Sequence, residues 1–519
     1  MKPAALIEKL DDKLNPIVVK ELRQAFQGRW VVGALLSFLT LQVVILGISL
    51  MFTEPFEDGS LSFHAGRDVF RLMQGILLTT CMLLAPTYAG MRLAAERNDA
   101  NVDLLFISTL TPRAIIWGKF CAAIILTLLI FSACAPFMIF TYLLRGIDLI
   151  TIALVLVIDF AAVVSATQIA IFAASIPGNR ALRGMLGLGT FIGLIYLFVG
   201  TLMGTIALTQ FGVPVHQPEF WWGLLTCTLL LLMAIALLFT ASVSIVSPPS
   251  TNRALPVRVA LLATWLFTGA AALAWCYFEA TIIPAYIWLA CAVGLFTAYL
   301  AVAINEREEW TPRVARTIPR NVLFRIGAFL MYSGSAGGVL FCVLLSAASY
   351  ILVGFVETWD PTWYSHLGRH DDVRVPMAIL GVYGLGYALA AVFVRRHLMS
   401  RWLRPEFTWV MLLVLIGLAS TVPYLLHFLI MPRHYRVYSE FNLWAAPNPF
   451  VALADWTNRH EYLAFGSVCT GIIVVMNLPW LIGQFDRFRR FEVSQPVEVA
   501  SEAVPVLEVV PVVETFGEA

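Results

Sequence analysis

Residues 70–143 read FRLMQGILLTTCMLLAPTYAGM, then RLAAERNDANVDLLFISTLTPRAIIWGK from Arg92 to Lys119, then FCAAIILTLLIFSACAPFMIFTYL. The two outer runs carry a single charge, Arg71, and each is long enough for the roughly 20 apolar residues that cross a hydrocarbon layer. Lipid offers no partner to a bare backbone N–H or C=O, so such runs cross as helices. The middle stretch is too charged to enter lipid. It holds an acidic–basic pair at Glu96 and Arg97 and a Thr-Pro break at Thr111 and Pro112. Two apolar spans flank a polar connector that can dock a partner while its flanking helices carry movement into the membrane; a generic solvated connector is the plainer alternative.

Composition points the same way. The chain is 60% hydrophobic and 13% charged, with a mean hydropathy of +0.82, against about 25% charged in a soluble protein. One soluble core cannot bury that much apolar surface. The fold class is therefore an all-α polytopic membrane protein, whose first partner is the lipid bilayer. The net charge of +1 gives no basic footprint for nucleic acid, and none is expected as a partner.

The length test gives about twelve spans: 30–52, 70–91, 120–143, 150–175, 185–208, 222–246, 258–278, 283–303, 327–354, 376–394, 407–429 and 462–484. The short alternating segments of a β-barrel are not evident. The first run follows a basic segment and lacks a small-residue cleavage site, so it reads as a retained anchor. Lys and Arg concentrate on the cytoplasmic side of membrane helices. With the N-terminus inside, only Arg67, Arg71, Arg145, Arg369, Arg374, Arg433, Arg436 and Arg459 fall outside. Both termini and the connector 92–119 are then cytoplasmic.

The boundaries follow. Residues 1–29 hold a helix-start signal at Asn15-Pro16. Val18, Leu22, Ala25 and Phe26 form one face at helical spacing, with Lys20, Arg23, Gln24 and Gln27 on the other. This predicts an amphipathic elbow on the inner membrane surface; an ordinary basic flank is the plainer alternative. A first six-helix half spans 30–246, a polar Pro-rich linker 247–257 follows, and a second half spans 258–484. Glu96-Arg97 and Pro112-Arg113 find an echo in Glu306-Arg307 and Pro319-Arg320, as internal repeats would give. The tail 485–519, poor in Lys and Arg and rich in Glu, Pro and Val, is expected to be disordered.

Few residues inside the spans carry chemistry. Asp159 lies near mid-bilayer in the fourth run, with Gln168 beyond it. A carboxylate there costs about 2.5–3.5 kcal/mol on insertion scales and must face protein or water. It is a proton or substrate contact, or an interhelical hydrogen bond. With no basic residue at another helix centre, the second reading is favoured. In the fifth run Gly189 with Gly193, and Gly200 with Gly204, clear a face for close helix packing. SGSAGG at 333–338 and the looser Gly381/Gly384 suggest the same. Residues 446–456, APNPFVALADW, predict a short interfacial helix with Trp456 near the headgroups. His366 and His370, near Asp371 and Asp372, lack a third ligand, so no metal is expected. The eight cysteines all lie in apolar runs without CxxC spacing, which argues against disulfides or zinc. No catalytic constellation appears. There is no phosphate loop: Gly118-Lys119 is followed by Phe120.

Asn15, Pro16, Glu21, Leu22 and Arg23 resemble the elbow of the permeases of type 2 ABC transporters, an exporter-like family. Glu96, Arg97, Asp103, Leu104, Leu105, Thr111, Pro112, Gly118 and Lys119 resemble that family's loop after the second span. The resemblance covers about the first 250 residues. It departs at Ala100, Asn101 and Val102, where the family has Gly-Thr, and the second half keeps only a degenerate echo. It implies that Glu96, Arg97, Asp103, Leu104, Leu105, Thr111, Pro112, Arg113 and Lys119 couple to a separate ATPase subunit. That subunit would hold ATP and Mg, leaving this chain without a cofactor. It further implies a bacterial cytoplasmic (inner) membrane protein that exports, alone or with a second copy or second permease. Opening is then expected between helix bundles near the fifth span. An ion-gradient transporter working through Asp159 and a non-transporting scaffold are the alternatives.

Overall fold

The computed structural model describes residues 16–52, 65–98, 111–144, 146–178, 180–248, 250–359, 371–430 and 441–490. Among the described residues there is no strand, and twelve helices are long and apolar enough to cross a membrane. The protein is a multi-pass all-α membrane protein.

A short helix α1 (Pro16–Gln27) leads into α2 (Arg29–Phe52), α3 (Ala65–Asn98), α4 (Pro112–Leu143), α5 (Leu149–Ser175), α6 (Arg180–Phe211) and α7 (Pro218–Val246). The second half holds α8 (Ala254–Glu279), α9 (Ile283–Ala303), the short α10 (Pro312–Ala315) and α11 (Val322–Met331), then α12 (Ser335–Trp359) and α13 (Asp371–His397). It ends with α14 (Thr408–Ile430), a six-residue α15 (Pro449–Ala454) and α16 (Arg459–Arg487). With an even number of crossings, both ends of the described chain lie on one face, called here the N-terminal face. The tail expected from 485 begins later, because α16 continues to Arg487 and Phe488 is fully buried; the remainder beyond Arg490 lies outside the described residues, as do His366 and His370 and the side chains of Asp371 and Asp372.

Each half buries its own core. Phe70, Met73, Leu77 and Leu78 of α3 meet Leu126 and Ile130 of α4 and Val155 and Val163 of α5. Leu289, Phe296 and Leu300 of α9 meet Phe341 and Cys342 of α12 and Leu389 and Val392 of α13. The neighbour pattern repeats. In the first half α3 packs on α4, α5 and α6, and α5 packs on α6 and α7. In the second half α9 packs on α12, α13 and α14, and α13 packs on α14 and α16. The substantial helix packing between the halves is that of the consecutive pair α7 and α8. The fifth span, α6, makes no such packing against the second half among the described residues.

One predicted span is divided. The run 327–354 breaks between Met331 and Ser335 into α11 and α12. The cause lies at its N-terminal end, where the carbonyls of Leu330, Tyr332 and Gly334 all accept from the guanidinium of Arg258. The Leu330 and Tyr332 carbonyls are given to the buried cation instead of continuing a helix, while that of Gly334 also accepts from the Gly338 N–H at 2.9 Å and so starts α12.

Candidate functional site

Thr111 and Pro112 act as the sequence suggests. Thr111 is extended and its hydroxyl accepts from the N–H of Ala114 at 3.3 Å, with proline in the first turn. This satisfies one orphan donor at the start of α4 and uses proline where no N–H is needed. The apolar run thus begins at Pro112, not Phe120. On the other side, α3 runs to Asn98, so Glu96 and Arg97 lie in its last turn. The connector between the two helices is shorter than 92–119. Asn15, Asp103, Leu104, Leu105 and the side chains of Glu96 and Arg97 lie outside the described residues. Arg113 is exposed.

Seven residues into α4, about 10 Å along its axis at 1.5 Å per residue, sits Lys119. Its Nζ donates to Glu21 Oε1 of α1 at 2.7 Å, and both side chains are 2% exposed. A pair so short and so dry is charge-assisted and directional. The junction is closed by α3. Tyr88 donates its hydroxyl to the Glu21 carbonyl at 3.1 Å, and Arg92 Nη1 donates to Gln24 Oε1 at 2.8 Å. The Arg92 guanidinium also lies over the Tyr88 ring. The elbow is therefore pinned across the ends of the two helices that bracket the connector.

This corrects the expected seating of the elbow. Its buried stripe is Val18, Glu21 and Ala25, while Phe26 is exposed. The helix is turned so that a carboxylate, not the whole apolar face, points inward, because Lys119 waits there. Lys20 and Arg23 remain exposed. Glu21 and Lys119 both carry the sequence resemblance, yet their pairing is invisible in sequence, since they lie far apart along the chain.

The intramembrane polar residues form a second cluster. Gln74 Nε2 of α3 donates to Asp159 Oδ1 at 3.3 Å and to Thr205 Oγ1 of α6 at 2.6 Å. Asp159, Gln74 and Thr205 are all buried, and Asp159 Oδ2 and Gln74 Oε1 find no partner. Gln168 Nε2 reaches Ser242 Oγ of α7 at 3.5 Å. Asp159 thus makes the expected interhelical hydrogen bond, tying α5 to α3 and, through Gln74, to α6.

The glycines of the fifth span do not do what their spacing suggests. A Cβ placed on Gly189, Gly193, Gly200 or Gly204 would meet no described atom within 4 Å. No helix of this chain packs there among the described residues. The glycines of 333–338 and the looser pair at Gly384 are the ones used. A Cβ on Gly338 would lie 2.7 Å from both the Ala303 Cβ and Arg258 Nη2, and one on Gly384 would lie 2.5 Å from Thr297 Cγ2.

A third cluster was not foreseen. Arg258, fully buried at the start of α8, holds Glu306 at 2.5 Å and Tyr299 at 3.3 Å besides the three carbonyls of the divided span. Glu306 also accepts from the Gly334 N–H at 2.7 Å. The available signal was that Arg258 and Glu306 stand at the same end of two consecutive antiparallel runs. Glu306, part of the sequence echo, is thereby committed to the fold. A closer echo is Thr311-Pro312-Arg313, which repeats Thr111-Pro112-Arg113 and likewise starts a helix, although α10 lasts one turn.

Comparison with protein-family models, with curated proteins and with solved structures gives no match.

Proposed function

We propose that this chain is the membrane-spanning permease subunit of an ATP-driven, exporter-like transporter, and that a separate ATPase subunit docks at the connector between α3 and α4. The observation that carries the reading is the buried Glu21–Lys119 pair. It joins the elbow to α4 seven residues past the connector, while Tyr88 and Arg92 join the elbow to α3. A force applied to the connector is then shared by three helices instead of being dissipated in a loose loop. The resemblance of the elbow and connector to type 2 ABC permeases supports the same reading. ATP and Mg belong to the partner, and the work done here is conformational. In this reading the N-terminal face is cytoplasmic and the membrane is the bacterial inner membrane.

The test is capture of the ATPase from native membranes. Reversing both charges, Glu96→Arg with Arg97→Glu, should release it while the permease elutes as before. Undiminished capture would overturn the reading. An ion-gradient transporter remains the second reading, favoured by the unpartnered Asp159 Oδ2. It requires Asp159→Asn to abolish transport that survives loss of the ATPase.

A further inference from the structure

The N-terminal face of the second half carries two exposed apolar points beside exposed arginines. Segment 304–334 leaves α9 and enters α12 on that face, and α11 is its longest helix. The C-terminal end of α11 is fixed. The Leu330 carbonyl accepts from Arg258 Nη1 at 2.8 Å, and the Phe329 ring meets Phe485 and Phe488 edge-on at the end of α16. The first turn is not covered. Val322, Leu323, Phe324 and Ile326 are exposed, Leu323 at 83%. Successive side chains of a helix turn by about 100°, so 322, 323 and 324 point three ways and the turn projects from the bundle.

The spans around it set its height. Residues 332–334 alone separate α11 from α12, and Phe329 lies against the end of α16. The turn therefore stands level with the ends of two spans, where hydrocarbon gives way to head groups. Large apolar side chains left in water forgo the gain that burial brings, and at that height the bilayer is beside them. Helix α12, into which α11 leads, itself exposes Leu344, Ile351 and Phe355, as a span does toward lipid.

The next connection on this face supplies the second point. It is joined to segment 304–334 by Arg307 with Glu406 at 3.1 Å and by the Trp409 N–H, which donates to Asn305 Oδ1 at 2.8 Å. Trp402 projects there, 89% exposed, between exposed Arg401 and Arg404. Tryptophan collects at head-group depth. From Thr311 to Ser333 there are four arginines, 313, 316, 320 and 325, and no acidic residue. Three of the four acidic residues in the two connections, Glu306, Glu308 and Glu406, are held by Arg258, Arg395 and Arg307. A basic surface with apolar tips matches the negative potential of anionic lipid. That attraction acts through the field over about a Debye length and does not depend on particular donors.

We propose that the first turn of α11 and Trp402 are paired anchors inserted in the leaflet at the N-terminal face, and that anionic lipids of this leaflet are their partner. The anchors stand on this geometry whether or not an ATPase drives the protein.

The test uses the full chain in phosphatidylcholine nanodiscs. These hold traces of phosphatidylglycerol or phosphatidylcholine with a diazirine near the top of one acyl chain, and adducts are mapped by mass spectrometry. The phosphatidylglycerol probe is expected to label 322–326 and 398–402 about fivefold more than the phosphatidylcholine probe, the effect of one basic residue near an anionic surface. Ile351 lies about 24 Å along α12 at 1.5 Å per residue, toward the opposite leaflet, and the two probes should label it alike. Arg313→Gln should lower the excess at 322–326, and Arg401→Gln with Arg404→Gln that at 398–402. Equal labelling by the two probes at either point in the unaltered protein would overturn the assignment, as would an excess that survives these substitutions. So would adducts at Ile351 with either point unlabelled, the result if that point stands in water or under another protein.

Discussion

Removing one member of the Glu21–Lys119 pair should release the elbow without unfolding the bundle. In Lys119→Met the Glu21 carboxylate stays in a site where it is 2% exposed, now without its counter-charge. Stripping one partner from a buried ion pair costs about 3–5 kcal/mol, a shift of roughly 150- to 5,000-fold in a local equilibrium. What remains on α1 is the apolar seat of Val18 and Ala25 and the hydrogen bonds from Tyr88 and Arg92, the latter each contributing about 1 kcal/mol net. These do not offset the loss, and lifting α1 into water restores the solvation of Glu21 cheaply. Hydrogen exchange should therefore show residues 16–27 losing protection while the α3 and α5 core amides keep theirs. The double variant Glu21→Leu with Lys119→Met leaves no buried charge, and such replacements are often neutral or stabilising. It should regain most of the protection. If the single variant exchanges like the unaltered protein, or if the double variant exchanges as fast as the single, the pair does not hold the elbow.

Three further outcomes follow from the same geometry. Arg258→Lys replaces a fork that serves Tyr299, Glu306 and three carbonyls with an ammonium of three donors. Glu306, Tyr299 and the Gly334 carbonyl keep other partners, but an ammonium lacks the planar fork that serves the Leu330 and Tyr332 carbonyls together with Glu306, so about 1–3 kcal/mol should be lost and the melting temperature should fall. Gly338→Ala should destabilise, because its Cβ collides at 2.7 Å with Ala303 and Arg258, whereas Gly204→Ala meets nothing within 4 Å and should leave the melting of the single chain unchanged. Asp159→Asn keeps an acceptor for Gln74 and replaces an oxygen that has no partner. Its melting should change by less than about 1 kcal/mol, and under the ATP-driven reading transport should persist.

The spans were legible because length and hydropathy are local quantities that a helix must satisfy by itself in lipid. Tertiary partners were not. The run 327–354 is continuous by composition, and its break depends on Arg258, which reaches it from another helix. Glu21 and Lys119 each looked like polar flanks until the fold brought them together. The glycine runs make the point most plainly. Spacing says only that a face is clear, so the regular repeat at Gly189 to Gly204 was the stronger signal and the looser one at Gly384 the weaker, yet the looser one is filled. Asp159 was readable as an interhelical contact, but Gln74 and Thr205 as its companions were not, since uncharged polar residues recur in many spans.

The measurement that bears most directly on the central claim is a cysteine probe in the connector. Asp103→Cys, in a chain whose eight native cysteines are replaced, is treated in native membranes with a short bifunctional crosslinker. The account predicts an adduct with an ATP-binding subunit, formed only when the reagent reaches the cytoplasmic side and altered in yield by ATP. Modification of the introduced thiol by a membrane-impermeant reagent from outside, or cytoplasmic access with no ATP-binding partner in the adduct, would contradict it.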